Sequence, residues 1–143
     1  MNKEIIMLII GAIIGFVVSI ITIKYQEFKD RKRASKILLI ELFKISKLIT
    51  PFAKQESGIS MDEIPNFVMS TQIDIFLSLK DTLRMSISEI SIDLERAENN
   101  RKRALALLNQ PNRINECKLY THLYLDFLKS AEMKINKMKV LLK

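Results

Sequence analysis

The chain opens with an uninterrupted apolar run, Ile5 to Ile23, nineteen residues without a charge. At about 1.5 Å rise per residue, such a run spans nearly 30 Å as a helix, the thickness of a bilayer's hydrocarbon core. A small soluble domain could scarcely cover a helix that is apolar all round. A cleaved signal peptide has a shorter apolar region ending in small residues at its cleavage site, whereas here the run passes straight into Lys24-Tyr-Gln-Glu-Phe-Lys29. The expectation is a transmembrane anchor over residues 1–25.

Beyond the anchor the apolar positions take up helical spacing. Leu38, Leu42, Ile45, Ile49 and Phe52 step by 4, 3, 4 and 3, which predicts a juxtamembrane helix over 26–53. No breaker separates Ile23 from Lys36, so this helix is expected to continue the anchor, and Pro51 limits its extension. Lys54 to Ser60, with Gly58, reads as a loop. Ser60 with Glu63 has capping-box spacing ahead of Pro65, which predicts a shorter amphipathic helix from about Asp62 to Leu79. Leu83, Ile87, Ile90, Leu94, Ala97, Arg101, Ala104 and Leu108 then step by 4 and 3 in alternation. Asn109-Gln-Pro-Asn112 ends that helix. Ile114, Cys117, Thr121, Tyr124, Leu128, Ala131, Ile135, Met138 and Leu142 carry the same spacing to the end.

Two heptad stripes joined by so short a turn predict an antiparallel helical hairpin, 81–109 with 113–143. Neither stripe can be buried by its own helix, so the Leu38 helix and the Phe67–Leu79 segment are expected to pack against the hairpin. The predicted fold class is all-α: one transmembrane helix followed by a three- to four-helix antiparallel bundle, with 54–143 as the cytoplasmic helical domain. The expected helix interface is Leu83, Ile87, Ile90, Leu94, Tyr124, Leu128, Ile135 and Met138.

Charge adds an orientation. The chain carries 23 Lys and Arg against 16 Asp and Glu, a net charge of +7. Lys24, Lys29, Arg31, Lys32, Arg33 and Lys36 follow directly after the apolar run, against only Glu27 and Asp30. The positive-inside rule therefore puts the N-terminus outside and the remainder in the cytoplasm of a bacterial inner membrane. The same six side chains are the expected contacts with anionic lipid. Within the span Gly11, Gly15 and Ser19 recur every four residues, a small-residue face of the kind through which membrane helices associate.

Site chemistry is sparse. His122, the only histidine, stands one turn from Asp126 with no nucleophile in helical reach, which favours a surface residue over a general base. Cys117, the only cysteine, excludes an internal disulfide and falls on the apolar stripe. Glu89 with Asp93 and Glu95 with Glu98 place carboxylates one turn apart, but no Glu-x-x-His accompanies them. They read as the solvated face of their helix. Arg101-Lys102-Arg103 lacks interleaved aromatics, and nearby glutamates oppose a nucleic-acid role. Arg101 alone lies on the stripe, either as a buried charge that fixes register or as a side chain reaching out to water. No phosphate loop or hydrolase motif is present, so no enzyme and no cofactor is expected.

The Ile- and Gly-rich anchor, the basic patch, the Ile37 to Leu42 helix "Ile-Leu-Leu-Ile-Glu-Leu" and the later Ile64-Pro65-Asn66-Phe67 form a layout. It resembles small single-pass bacterial or phage membrane proteins of unknown function. The resemblance implies a cytoplasmic helical domain and a setting among mobile-element or phage-defence genes. The expected function is a membrane-anchored, non-enzymatic interaction module that associates with itself or a protein partner through its helices. The alternative is a holin-like or abortive-infection effector that oligomerises through the anchor.

Overall fold

A computed structural model describes residues 3–55, 58–64 and 73–142, without the side chains of residues 3, 4 and 6. Among the described residues every regular element is helical. They are α1 (Lys3–Ala53), α2 (Ile73–Leu77), α3 (Asp81–Leu107), a 3-10 turn over Pro111–Arg113, and α4 (Ile114–Leu141).

Helix α1 runs 51 residues without a break, about 76 Å at the standard rise. No Gly or Pro stands between Ile23 and Lys36 to interrupt its hydrogen-bond ladder. Pro51 falls inside the last turn, where it removes one backbone donor, and the helix ends at Ala53. This is the one described helix long and apolar enough to cross a membrane, and none of its apolar window is buried. Thirteen large apolar side chains between Ile5 and Ile23 lie exposed.

The environment of α1 changes at Ala34. From there Ala34, Leu38, Leu42, Ile45, Ile49 and Ala53 are buried, in one core cluster with residues of α3 and α4. The period of this stripe is the one read from the sequence, because a 3.6-residue turn keeps positions three and four apart on one face.

Helix α3 lies along α4. Cys117 Sγ donates to the Ala104 carbonyl at 3.5 Å and Ser130 Oγ to Asp93 at 2.7 Å. Lys134 reaches Asp93 at 2.7 Å. The Arg103 guanidinium stands over the Tyr120 ring, and Arg96 over Phe127. Of the expected interface residues, Ile87, Ile90, Leu94, Tyr124, Leu128, Ile135 and Met138 are buried and Leu83 is partly so. The stripe frays at the turn end, where Leu108 and Ile114 are exposed and Leu107 is buried instead. Leu108 already caps α3, and Ile114 is the first residue of α4.

The segment between α1 and α3 departs from expectation. Ser60 to Ile64 is not helical. The Ser60 hydroxyl accepts from the Asp62 N–H at 3.0 Å, a local turn that replaces the capping box with Glu63. Of the helix expected from Asp62 to Leu79, only Ile73–Leu77 is seen as helix. Pro65, Phe67 and the rest of 65–72 lie outside the described residues.

Candidate functional site

Three groups of residues carry what the chain offers chemically. The first is the small-residue face of the apolar stretch of α1, Gly11, Gly15 and Ser19. A Cβ placed on Gly11 or Gly15 meets nothing within 4 Å, and Ser19 is exposed, so this stripe is unobstructed. Thr22 is the other hydroxyl of the span, and its Oγ1 donates to the Val18 carbonyl at 2.8 Å. That bond leaves little polarity to line an aqueous path.

The second group is the basic stretch. Lys24, Lys29, Arg31, Lys32, Arg33 and Lys36 are all exposed. They cover roughly half of the helix circumference, leaving clear the side that Ala34 turns to the core, and spread over about 18 Å along the axis.

The third group is Arg101 with Glu98 and the Ser60–Ile64 segment. Arg101 is 4% exposed. Its Nε and Nη2 each donate to a Glu98 carboxylate oxygen at 2.7 Å. Its Nη1 donates to the carbonyls of Ser60, at 3.3 Å, and Met61, at 3.0 Å. Glu98 also accepts from the Ile64 N–H at 3.2 Å. The pair therefore clasps the Ser60–Ile64 segment onto α3. This bidentate geometry, with both Nη1 hydrogens on carbonyls, is what makes a buried charge tolerable. The hydrogen bonds from Arg101 hold the Glu98 carboxyl below its ordinary range, and the carboxylate in turn raises Arg101. Arg101 is thus the buried alternative of the two open from sequence, with its head group away from water.

Asp93 and Glu98 also correct the expectation of a solvated carboxylate face. Asp93 is 6% exposed and accepts from both Ser130 and Lys134. Its position beside Leu94 turns it toward α4 rather than outward. Glu89 and Glu95 do remain exposed. The spacing of Glu98 and Arg101 hinted at their pairing, but nothing local showed that both would bind a segment some forty residues earlier.

Tyr124 lies beside this clasp, 1% exposed. Its hydroxyl makes no fully formed hydrogen bond. Burial pushes the phenol up, opposed in part by the Ser60 backbone and Arg101. Tyr124 lines a cavity of about 120 Å³ with Leu48, Phe52, Ile64 and Leu128. His122 and Asp126 are both exposed. Cys117 is half-buried, its thiol spent on the Ala104 carbonyl. No cluster of three metal-ligating side chains exists among the described residues.

No protein-family model, curated protein or solved structure matches the chain.

Proposed function

We propose that the chain is a membrane-anchored, non-enzymatic helical interaction module that self-associates at the cytoplasmic face of a bacterial inner membrane. In this reading α1, α3 and α4 form an antiparallel bundle on a stalk, with α3 and α4 as its helical hairpin. The observation that carries it is the continuity of α1. One helix is bare and apolar over Ile5–Ile23, then supplies six residues of the core from Ala34 onward. Leaving thirteen large apolar side chains in water would cost on the order of 20 kcal/mol, at about 1.5 kcal/mol or more each. A bilayer removes that cost, and no hinge then separates membrane from bundle.

The basic excess after the span favours N-out, C-in topology. Lys24 and Lys29 lie within about a Debye length (~8 Å) of the anchor's end, so they and the residues just after them contact anionic headgroups. Lys36, about 18 Å beyond Lys24, is left for other contacts. The unobstructed Gly11/Gly15/Ser19 stripe offers a contact inside the membrane. A membrane-perturbing effector is less well supported, since Thr22 is satisfied within its own helix and Ser19 alone would face a pore.

The test is expression of the full chain followed by carbonate extraction, chemical cross-linking in native membranes, and recording of membrane potential. Retention in the membrane, cross-linked oligomers and unchanged potential support the module. A strict monomer refutes self-association, and a collapsed potential would favour the effector.

A further inference from the structure

The outward faces of α1 and α3 carry apolar residues that the core does not use. On α1, opposite the buried stripe, Lys36, Ile40, Phe43 and Lys47 step by 4, 3 and 4, with Ile40 at 55% and Phe43 at 49% exposure. On α3, Asp81, Met85, Ile92 and Glu95 occupy the equivalent outward line, with Met85 at 67% and Ile92 at 46%. Each face has two apolar residues at its centre and charges at its ends, and on α1 the Lys139 ammonium of α4 also stands over the Phe43 ring, 4.9 Å from its centroid. The ends are basic on α1 and acidic on α3. Asp81 already holds Arg84, but neither Lys47 nor Glu95 has an ion pair among the described residues.

The two faces also match in height. Arg31 and Ser35 of α1 line one crevice with Thr82 and Leu83 of α3. Farther along, Leu48 and Phe52 meet Tyr124 and Leu128 of α4, whose level on α3 is given by the Ser130–Asp93 bond. Interpolating at the common helical rise puts Lys47 level with Glu95, Phe43 with Ile92, and Ile40 near Ser88, within about one turn. Anchors held in one bilayer with one orientation keep neighbouring copies at the same height, so these levels coincide between copies.

We infer that the α1 face of one copy docks on the α3 face of a second copy, with Ile40 and Phe43 against Met85 and Ile92 and with Lys47 paired to Glu95. Like-with-like pairing is disfavoured. Two α1 faces set Lys47 against Lys47, two α3 faces set Glu95 against Glu95, and the shared bilayer forbids inverting one copy. The contact is therefore heterologous, and repetition about an axis normal to the membrane closes a ring. The inference rests on the self-association reading and gives it an interface.

The experiment uses full-length chains in native membranes with Cys117→Ala as background. Chains carrying Lys47→Cys are co-expressed with chains carrying Glu95→Cys and treated with a short bis-maleimide. The mixed 47–95 product is expected to exceed the 47–47 and 95–95 products. A second pair, Ile40→Cys with Ser88→Cys, reads the same interface without touching its charges. Adding Lys47→Glu to both chains of that pair lowers its product about tenfold, and adding Glu95→Lys as well restores it. Oligomers that cross-link through lysine reagents yet give no 47–95 product, or mainly 47–47, overturn this interface and leave self-association standing. A chain that gives no oligomer with any reagent overturns both.

Discussion

Replacing Arg101 by Met removes the buried guanidinium while keeping much of its apolar volume. Four hydrogen bonds go with it, two to Glu98 and two to the Ser60 and Met61 carbonyls. The Glu98 side chain, only 15% exposed, is left without its main partner. Removing one member of a buried pair typically costs about 3–5 kcal/mol. Glu98 keeps Lys102 at 3.5 Å and the Ile64 N–H, so the lower end, about 3 kcal/mol, is expected. Chemical denaturation of the detergent-solubilised full chain, followed by circular dichroism, measures the loss. Adding Glu98→Met should recover part of it, because no unpaired charge remains. The pH dependence has a fixed sign. Glu98 is depressed in the fold, so its contribution is complete above the unfolded carboxyl pKa of about 4.3 and is lost as pH falls through the lower folded value. Glu98→Gln should flatten that acid limb. An R101M loss below about 1 kcal/mol, or an acid limb unchanged in E98Q, would refute the clasp as a source of stability.

Three further outcomes follow from the packing. Leu128→Ala, at a fully buried position facing α1 and α3, should cost about 2–5 kcal/mol in the same denaturation assay. Tyr124→Phe deletes a buried hydroxyl that makes no fully formed bond. It should therefore be neutral or stabilise by up to about 1 kcal/mol, whereas a loss above that would reveal a partner for the hydroxyl. Asp93→Asn keeps an acceptor for Ser130 but loses the charge facing Lys134. It should cost about 1–2 kcal/mol, and the loss should shrink in a Lys134→Met background, as a double-mutant cycle would show.

The sequence displayed those features whose cause is local. Nineteen apolar residues, the lack of any breaker from Ile23 to Lys36, and the alternating steps of 3 and 4 each translate directly into helix and buried face. Pro111 marked the turn between α3 and α4 for the same reason. What stayed hidden depends on distant partners. Asp93 sits one position from the stripe and is buried only because Ser130 and Lys134 of α4 come opposite it. Ser60 and Glu63 have the spacing of a cap, yet the Ser60–Ile64 backbone finds its partners on Arg101 and Glu98 instead. Leu125 is buried although it lies beside the heptad position Tyr124, since a helix packed on two neighbours needs a wider apolar face than a single seam. The outward apolar residues of α1 and α3 are not singled out by the periodicity, and their common level appears only once α4 sets the register between them.

The central claim is that one helix crosses the membrane and carries the packed helices on its cytoplasmic side. The most direct test uses single cysteines in a Cys117→Ala background and a membrane-impermeant maleimide applied to intact cells. Asn2→Cys should label from outside, and Asn109→Cys, in the turn between α3 and α4, should label only after lysis. Labelling of Asn109→Cys in intact cells, or of both positions only after lysis, would contradict the account.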